Sequence, residues 1–378
     1  MKKTLVALAA LATVGAAFAQ STVTLYGRVD VSLSAYTQTT AGVRTADKNV
    51  GAQLATGNVL GETGSRWGLK GSEDLGGGMK AIFQLENGFS ADTGGFQQLG
   101  RMFGRQAYVG VGGGFGTVTF GRQYTPFDAI WGSYDAQGYA ASAPISYAWN
   151  NGPQNYGSSA AVVGVHNDTG RIDNSILYAT PTMSGFSGSV MWAPGENKVP
   201  GVNAANQYWG FNAQYANGPI GVGLGYESTN TKTVAGTATM SNWTVGGQYD
   251  FGVAKLYAMY ERGRSNIAAG GFYPTNATNG VIAGFGGIAT GPGTDRGWDV
   301  GVSVPVGAAT VGVSYAQELT SATGSTLNGK NKAFGANVNY ALSKRTTVYA
   351  IAMSGSSTTA ASVKTNNTTY SLGLRHEF

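Results

Sequence analysis

Tyr370-Ser-Leu-Gly-Leu-Arg-His-Glu-Phe378 forms a two-faced segment at the end of the chain. With a period of two, Tyr370, Leu372, Leu374 and Phe378 share one face, interrupted only by His376. Ser371, Gly373, Arg375 and Glu377 share the other. Soluble domains tend to fray over their last residues. A terminal aromatic on a two-faced strand points instead to a strand that must pair and close a sheet. The same alternation recurs upstream. Leu25, Val29, Val31 and Leu33 oppose Tyr26, Arg28, Asp30, Ser32 and Ser34. Trp243, Val245, Tyr249 and Phe251 oppose Thr244, Gln248 and Asp250, and Trp298, Val300, Val302 and Val304 oppose Asp299, Gly301 and Ser303.

Composition says which solvents surround these faces. Charged residues are only 11% of the chain, against about 25% in soluble domains, while Gly reaches 60, Tyr 20 and Trp 7. So little charge requires something other than water around much of the surface. No stretch approaches the roughly 18 consecutive apolar residues of a membrane helix. Lys2, Lys3, the apolar run 4–18 and Ala17-Phe18-Ala19 have the form of a secretory signal peptide, so residues 1–19 are expected to be removed. Losing two lysines lowers the formal net charge of +5 to +3, too small and dispersed for nucleic-acid binding. There is no cysteine, hence no disulfide framework and no thiolate metal site.

Sixteen strands are expected between 22–36 and 368–378, joined alternately by short turns and mostly long loops. The longest loops are 37–59, 125–170 and 264–295. Polar residues on the inner face, apolar and aromatic residues on the outer one, and loop lengths that alternate by rim together predict an all-β, sixteen-stranded antiparallel transmembrane barrel. Backbone groups in lipid have no water partner, so such a sheet must close. Sixteen strands leave an aqueous channel. Glycine is expected to be tolerated in the strands because a wet lumen needs no packing. Residues 20–378 then form one domain.

The chain resembles the general porins of Gram-negative bacteria, of the trimeric sixteen-stranded type and closest to their β-proteobacterial branch. The resemblance rests on Thr24-Leu-Tyr-Gly-Arg28, Ser65-Arg-Trp-Gly-Leu-Lys-Gly-Ser-Glu-Asp-Leu75, Met79 to Phe89, Phe103-Gly-Arg-Gln-Ala-Tyr-Val-Gly110, Phe120-Gly-Arg-Gln-Tyr124 and the ending Gly373 to Phe378. It implies a third loop, 125–170, folded into the barrel. It also implies an arginine ladder of Arg28, Arg66, Arg105, Arg122 and Arg171, with the acids Asp128, Asp135 and Glu86 lining the constriction. Strict alternation would put Arg171 and Asp173 on one face of their strand and Ile172 and Ile176 on the other.

Further implications are passive diffusion of small hydrophilic solutes and ions, a mild anion preference, and a homotrimer in lipid and lipopolysaccharide. Phe378 would be the signal read by the outer-membrane assembly machinery. A substrate-selective channel or adhesin using the long loops is the alternative.

Other motifs carry less. Gly324-Ser-Thr-Leu-Asn-Gly-Lys330 lacks the following Ser or Thr of a phosphate loop, and Gly284-Phe-Gly-Gly-Ile-Ala289 has no βαβ context. His166 and His376 have no metal-ligand spacing. Ser158 and Ser159 near His166 form no strained nucleophile turn. No cofactor, metal site or enzymatic activity is expected.

Overall fold

The computed structural model describes residues 21–50, 62–98, 100–138, 140, 143–149, 170–194, 207–233, 236–266, 293–322, 328–358 and 362–378. The segment 1–19, His166, Ser158, Ser159 and the stretches 267–292 and 323–327 therefore lie outside the described residues.

The elements in chain order are β1 (Thr22–Thr40), β2 (Val43–Val50), β3 (Arg66–Gly76), β4 (Met79–Gly88), β5 (Gln106–Gly113) and β6 (Gly116–Tyr124). Two helices follow, α1 (Pro126–Tyr134) and α2 (Pro144–Trp149). Then come β7 (Arg171–Ala179), β8 (Phe186–Ala193), β9 (Gln207–Asn217), β10 (Ile220–Thr233), β11 (Gly236–Asp250) and β12 (Lys255–Ser265). The last five are β13 (Gly293–Val306), β14 (Ala309–Ala322), β15 (Asn328–Ala341), β16 (Thr346–Thr358) and β17 (Lys364–Glu377).

Seventeen strands fill sixteen places around the wall. β1 explains the difference. On one edge it pairs with β17, from Arg28↔Glu377 to Thr40↔Thr365. On the other, its lower half pairs with β3 (Thr22↔Ser72 to Arg28↔Arg66) and its upper half with β2 (Leu33↔Val50 to Thr40↔Val43). The expected loop 37–59 thus contains a strand of its own, and the second wall strand starts at Arg66 rather than near residue 60. The fourth also starts later than expected, at Gln106. Every other neighbour is antiparallel and consecutive, so the sheet has no long free edge for lipid to meet.

The closing seam follows the register expected of the terminal segment. Gly27 and Phe378 exchange both backbone hydrogen bonds, at 3.1 Å each. The Phe378 ring lies over Gly27, where a Cβ would collide with it. Tyr370, Leu372 and Leu374 are exposed outward, and Ser371 and Gly373 are buried inward.

Outward positions carry the apolar residues throughout, including Leu25, Leu33, Val109, Phe120, Val190 and Leu224. Cross-strand aromatic pairs stand on the loop side of this belt: Trp209–Tyr226 at 4.7 Å, Trp243–Tyr260 at 5.4 Å and Trp298–Tyr315 at 5.0 Å between ring centroids. Phe186–Tyr215 and Tyr249–Phe251, both at 4.5 Å, stand near the short turns. Two aromatic girdles bounding an apolar band are what the two membrane interfaces select. The short turns hold glycines in the left-handed region, such as Gly252 (φ 80°) between β11 and β12, where a side chain would be strained.

The lumen is not uniformly wet. Phe127, Ile130, Trp131 and Tyr134 of α1 form one buried cluster with Ile145, Ala148 and Trp149 of α2 and with Met259 and Ala316 of the wall. α1 packs on β8–β12 and α2 on β13–β16, on the face opposite the exposed apolar residues. The glycines there are notches. A Cβ on Gly223 or Gly246 would strike Tyr134, one on Gly297 would strike Trp149, and one on Gly355 would strike Tyr147. This corrects the expectation that strand glycines mark an unpacked lumen: on β10–β16 they mark where the loop is packed most closely.

Candidate functional site

The inward-facing arginines Arg28, Arg66 and Arg105 gather on β1, β3 and just before β5. Arg28 and Arg66 are direct cross-strand partners. Like charges facing each other across a ladder destabilise it by roughly 0.2–1 kcal/mol, so their pairing calls for a functional reason. Arg28 has a carboxylate, Glu377 Oε1, at 2.9 Å, and donates to Thr63 Oγ1 at 3.1 Å. Arg66 donates to the Gly64 carbonyl at 3.3 Å and makes no salt bridge among the described residues. Arg28, Arg105, Tyr124 and Glu86 are its electrostatic neighbours.

Of the three acids expected at the constriction, Glu86 stands within this arginine row. Its Oε1 accepts from Arg105 Nε at 2.6 Å and its Oε2 from the Tyr26 hydroxyl at 2.9 Å. Gln84 Nε2 donates to Tyr26 at 2.6 Å, and the Tyr108 hydroxyl donates to Gln84 Oε1 at 2.7 Å. Such a ladder of hydrogen bonds holds the guanidinium of Arg105 in one orientation, and Tyr124 completes it by accepting from Arg105 Nη2 at 2.6 Å.

Of the other two arginines, Arg171 shares the Tyr124 hydroxyl with Arg105, and Arg122 makes no contact with this row among the described residues. Gln123 takes the inward position on β6, bonded to Thr119 and Ser175. Arg122 therefore falls on the side of exposed Phe120. A register shift opposite Gly121–Gln123, with Asn174 at φ 56°, inserts an extra residue into β7. Alternation then breaks: Ile172 joins the inward-facing Met191, Ala193 and Tyr208, while Ile176 is exposed on the outside. The two isoleucines do not share a face, contrary to the sequence expectation. Asp173 binds Arg122 at 2.5 Å and Arg101 at 2.9 Å. Arg171 reaches the Tyr124 hydroxyl, its guanidinium 4.0 Å from the ring centroid. Arg105 and Arg66 thus neighbour Glu86, Arg122 and Arg101 gather around Asp173, and Arg171 stacks on Tyr124.

The loop acids are turned toward protein. Asp128 is in the first turn of α1, where its amide donates to Thr125 Oγ1 at 3.1 Å, and the residue is 8% exposed. Asp135 follows the helix, 3% exposed, and has Asp299 of β13 as an electrostatic neighbour.

Several acids escaped the sequence reading. Asp30 accepts from the Tyr349 hydroxyl at 2.5 Å and the Thr63 amide at 2.7 Å. Glu62 binds Arg375 and accepts from Asn339 Nδ2 at 2.5 Å. Glu227, Glu261, Asp295, Asp299 and Glu318 are all buried on the inner face of β10 and β12–β14. Alternation could have marked them as lumenal, but not as lying beneath the loop.

A barrel with an outer apolar band, two aromatic girdles and a charged inner wall is a pore. Comparison with known sequences agrees: the family model described as Gram-negative porin matches residues 4–360. The chain belongs to the Gram-negative porin family. This porin is 33% identical to an outer membrane porin protein of Bordetella pertussis over 100% of both chains. It is 36% identical to outer membrane porin protein 32 of Delftia acidovorans, over 76% of this chain and 77% of that one. Among solved structures it resembles the anion-selective porin from Comamonas acidovorans, with a TM-score of 0.73 and 26% identity, covering 95% of this chain and 100% of that one. OmpT of Vibrio cholerae shares the fold, with a TM-score of 0.62 at 16% identity. The protein is a passive channel of the bacterial outer membrane for small solutes and ions, not an enzyme. Its lumenal side chains act by charge and size.

Proposed function

We propose that this porin favours anions mildly, through Arg28, Arg66 and Arg105 on one wall, with the 125–170 loop narrowing the pore across from them. The observation that carries the reading is Arg66, set opposite Arg28 and joined to no carboxylate among the described residues. Fixed charge rings of one sign govern which ions enter a pore. Arginine remains protonated at any physiological pH. Asp128 and Asp135, both buried against protein, offset this charge weakly. The test is the reversal potential of single channels in a salt gradient across a planar bilayer. An anion-selective potential is expected, and a cation-selective one would overturn the reading.

The same proposal covers the setting of the pore. Residues 1–19 serve as the export signal, three copies assemble, and Phe378 is read during outer-membrane assembly. Arg262, Arg264 and Arg296 are exposed on β12 and β13, and Arg262 pairs directly with Arg296. They belong to the face that carries the loop-side girdle, where lipopolysaccharide phosphates would meet them. Bidentate guanidinium–phosphate pairing suits that contact.

A further inference from the structure

Beneath α2, two rows of residues cross the sheet at neighbouring heights. In the first, Gly263 of β12 is the direct partner of both Asn242 on β11 and Asp295 on β13. In the second, Gly297 of β13 is the direct partner of both Glu261 on β12 and Glu318 on β14. All four oxygen-bearing side chains alternate onto the inner face, and each row is centred on a residue with no side chain. The space left by the glycines is filled by oxygen atoms. Glu261, Asp295 and Glu318 each offer one carboxylate oxygen, and these lie within 4.8 Å of one another. Asn242 Oδ1 and Asp295 Oδ1 both crowd the point where a Cβ on Gly263 would sit.

The three carboxylates are almost entirely buried, at 1%, 1% and 0% exposure. Desolvated carboxylates are among the most costly groups in a protein unless a cation meets them closely, and Arg262, the electrostatic neighbour of Asp295, forms no salt bridge with it. No lysine or arginine forms a salt bridge with Asp295 or Glu318 among the described residues, and Arg262, Arg264 and Arg296 are on the outer face.

The second observation is an amide. Asn242 is 2% exposed, and its Nδ2 donates to Glu227 Oε1 at 3.1 Å. A carboxylate accepts only, so this bond fixes which end of the amide is nitrogen. The carbonyl oxygen is thereby presented to the Asp295 side, where it meets no hydrogen-bond donor. Oε1 of Glu318 also lacks one, and the Asp295 carboxylate has only the backbone amides of Asp295 and Gly263 beside it among the described residues. An amide oxygen cannot relieve its burial by taking up a proton at neutral pH. It can do so by binding a cation.

We propose that Glu261, Asp295, Glu318 and the Asn242 carbonyl oxygen form a buried site for one divalent cation, with Ca²⁺ the best fit. Hard oxygen ligands alone select Ca²⁺ or Mg²⁺ over transition metals. Mg²⁺ dehydrates reluctantly and usually keeps several waters, whereas Ca²⁺ accepts flexible ligation by carboxylate and amide oxygens, which suits a buried site built from side chains.

The ion would also tie the wall to the loop. Asn331 Nδ2 bridges Glu318 Oε2 at 2.9 Å and the Ala148 carbonyl of α2 at 3.3 Å. The Trp149 indole covers Gly297 and donates to the Gln317 carbonyl at 3.3 Å. Sequence gave no sign of the site, because its ligands are dispersed over four strands. The inference does not depend on the ion preference proposed above.

The test uses the purified, folded porin in detergent, freed of metal with a chelator. Terbium is the probe, since Trp149 can sensitise its emission. One equivalent per chain is expected to give sensitised emission that Ca²⁺ abolishes competitively, and Ca²⁺ should raise the unfolding temperature. Asp295→Asn combined with Glu318→Gln should lower terbium emission at least tenfold and remove the Ca²⁺ effect on unfolding. Asn242→Ala keeps every carboxylate and should weaken Ca²⁺ competition about tenfold. If the double variant does not fold, Asn242→Ala and the native protein decide the matter. Emission unchanged in the variants would mean adventitious binding elsewhere and would overturn the site. So would a native protein that binds no Ca²⁺ and unfolds alike with and without chelator, leaving the carboxylates to share protons instead.

Discussion

Along β1 and β3–β5 the inner wall carries Arg28 and Arg66 side by side and Glu86, Tyr26 and Gln84 linked by hydrogen bonds, all covered by neither helix. Along β10–β16 the corresponding positions carry Gly223, Gly246, Gly297 and Gly355, pressed by Tyr134, Trp149 and Tyr147. Both walls begin from the same two-residue alternation in the same closed sheet. They differ in what is laid against them. One faces solvent and can hold charge, since water and neighbouring hydroxyls solvate it. The other faces a loop that brings its own apolar core, and there side-chain volume rather than charge decides what fits. The constriction proposed above draws on both: a rigid backing for the loop, and a polar surface across from it. The acids divide accordingly. Glu86 orients an arginine on the open wall, while Asp295 and Glu318 are sealed behind the loop on the other.

The sharpest way to break this contrast is to empty the packed side. Trp131→Ala removes a fully buried indole that touches Trp149 at 5.1 Å and Phe127 at 5.8 Å between centroids. It should cost about 3–5 kcal/mol. Thermal unfolding should shift downward and single-channel current should become noisier or larger. An unchanged trace would mean the cluster does not hold the loop.

The next largest effect concerns the seam joining the walls. Deleting Phe378 removes the ring over Gly27 and both of their backbone bonds. Outer-membrane yield should fall several-fold in quantitative blots, with little change in conductance of the channels that assemble.

On the open wall, Arg66→Gln removes a charge without leaving a carboxylate unpaired. A unit charge acts at about 1 kcal/mol over 4 Å in water. The permeability ratio in a salt gradient should therefore move toward cations by roughly fivefold, and the shift should shrink as salt rises and the screening length falls from about 10 Å at 0.1 M to about 3 Å at 1 M.

The smallest effect is expected of Arg122→Gln, because Arg122 is on the Phe120 side of β6 and Asp173 keeps Arg101 as a partner. The reversal potential should match that of the native protein. A shift as large as that of Arg66→Gln would return Arg122 to the pore.

Much of this was readable in the chain. The faces of β1, β11, β13 and β17 follow directly from alternation, and the seam from the terminal segment. The helix α1 was also legible: Thr125 before Pro126 is a cap with proline in the first turn, and Phe127, Ile130, Trp131 and Tyr134 have helical spacing. Reading 125–170 only as a loop with acids missed that signal. Arg122 was placed by motif alone, although alternation from Phe120 to Gln123 runs against it; for Ile172 and Ile176 unbroken alternation was assumed, and one inserted residue near Asn174 was enough to separate their faces. A bulge reverses faces beyond it, and nothing in Arg171-Ile-Asp-Asn-Ser175 announces where it falls.

The sequence by itself determined the solvent on each face, the alternation of turns and loops, and so the closed barrel and its membrane. Those depend on local periodicity and on the absence of water in lipid, which act residue by residue along a strand. Only the tertiary structure decided which inner positions remain wet, which acids are buried together and which arginines share a carboxylate. These depend on where the loop lies and how adjacent strands register, relations between residues separated by tens to hundreds of positions that no local pattern encodes.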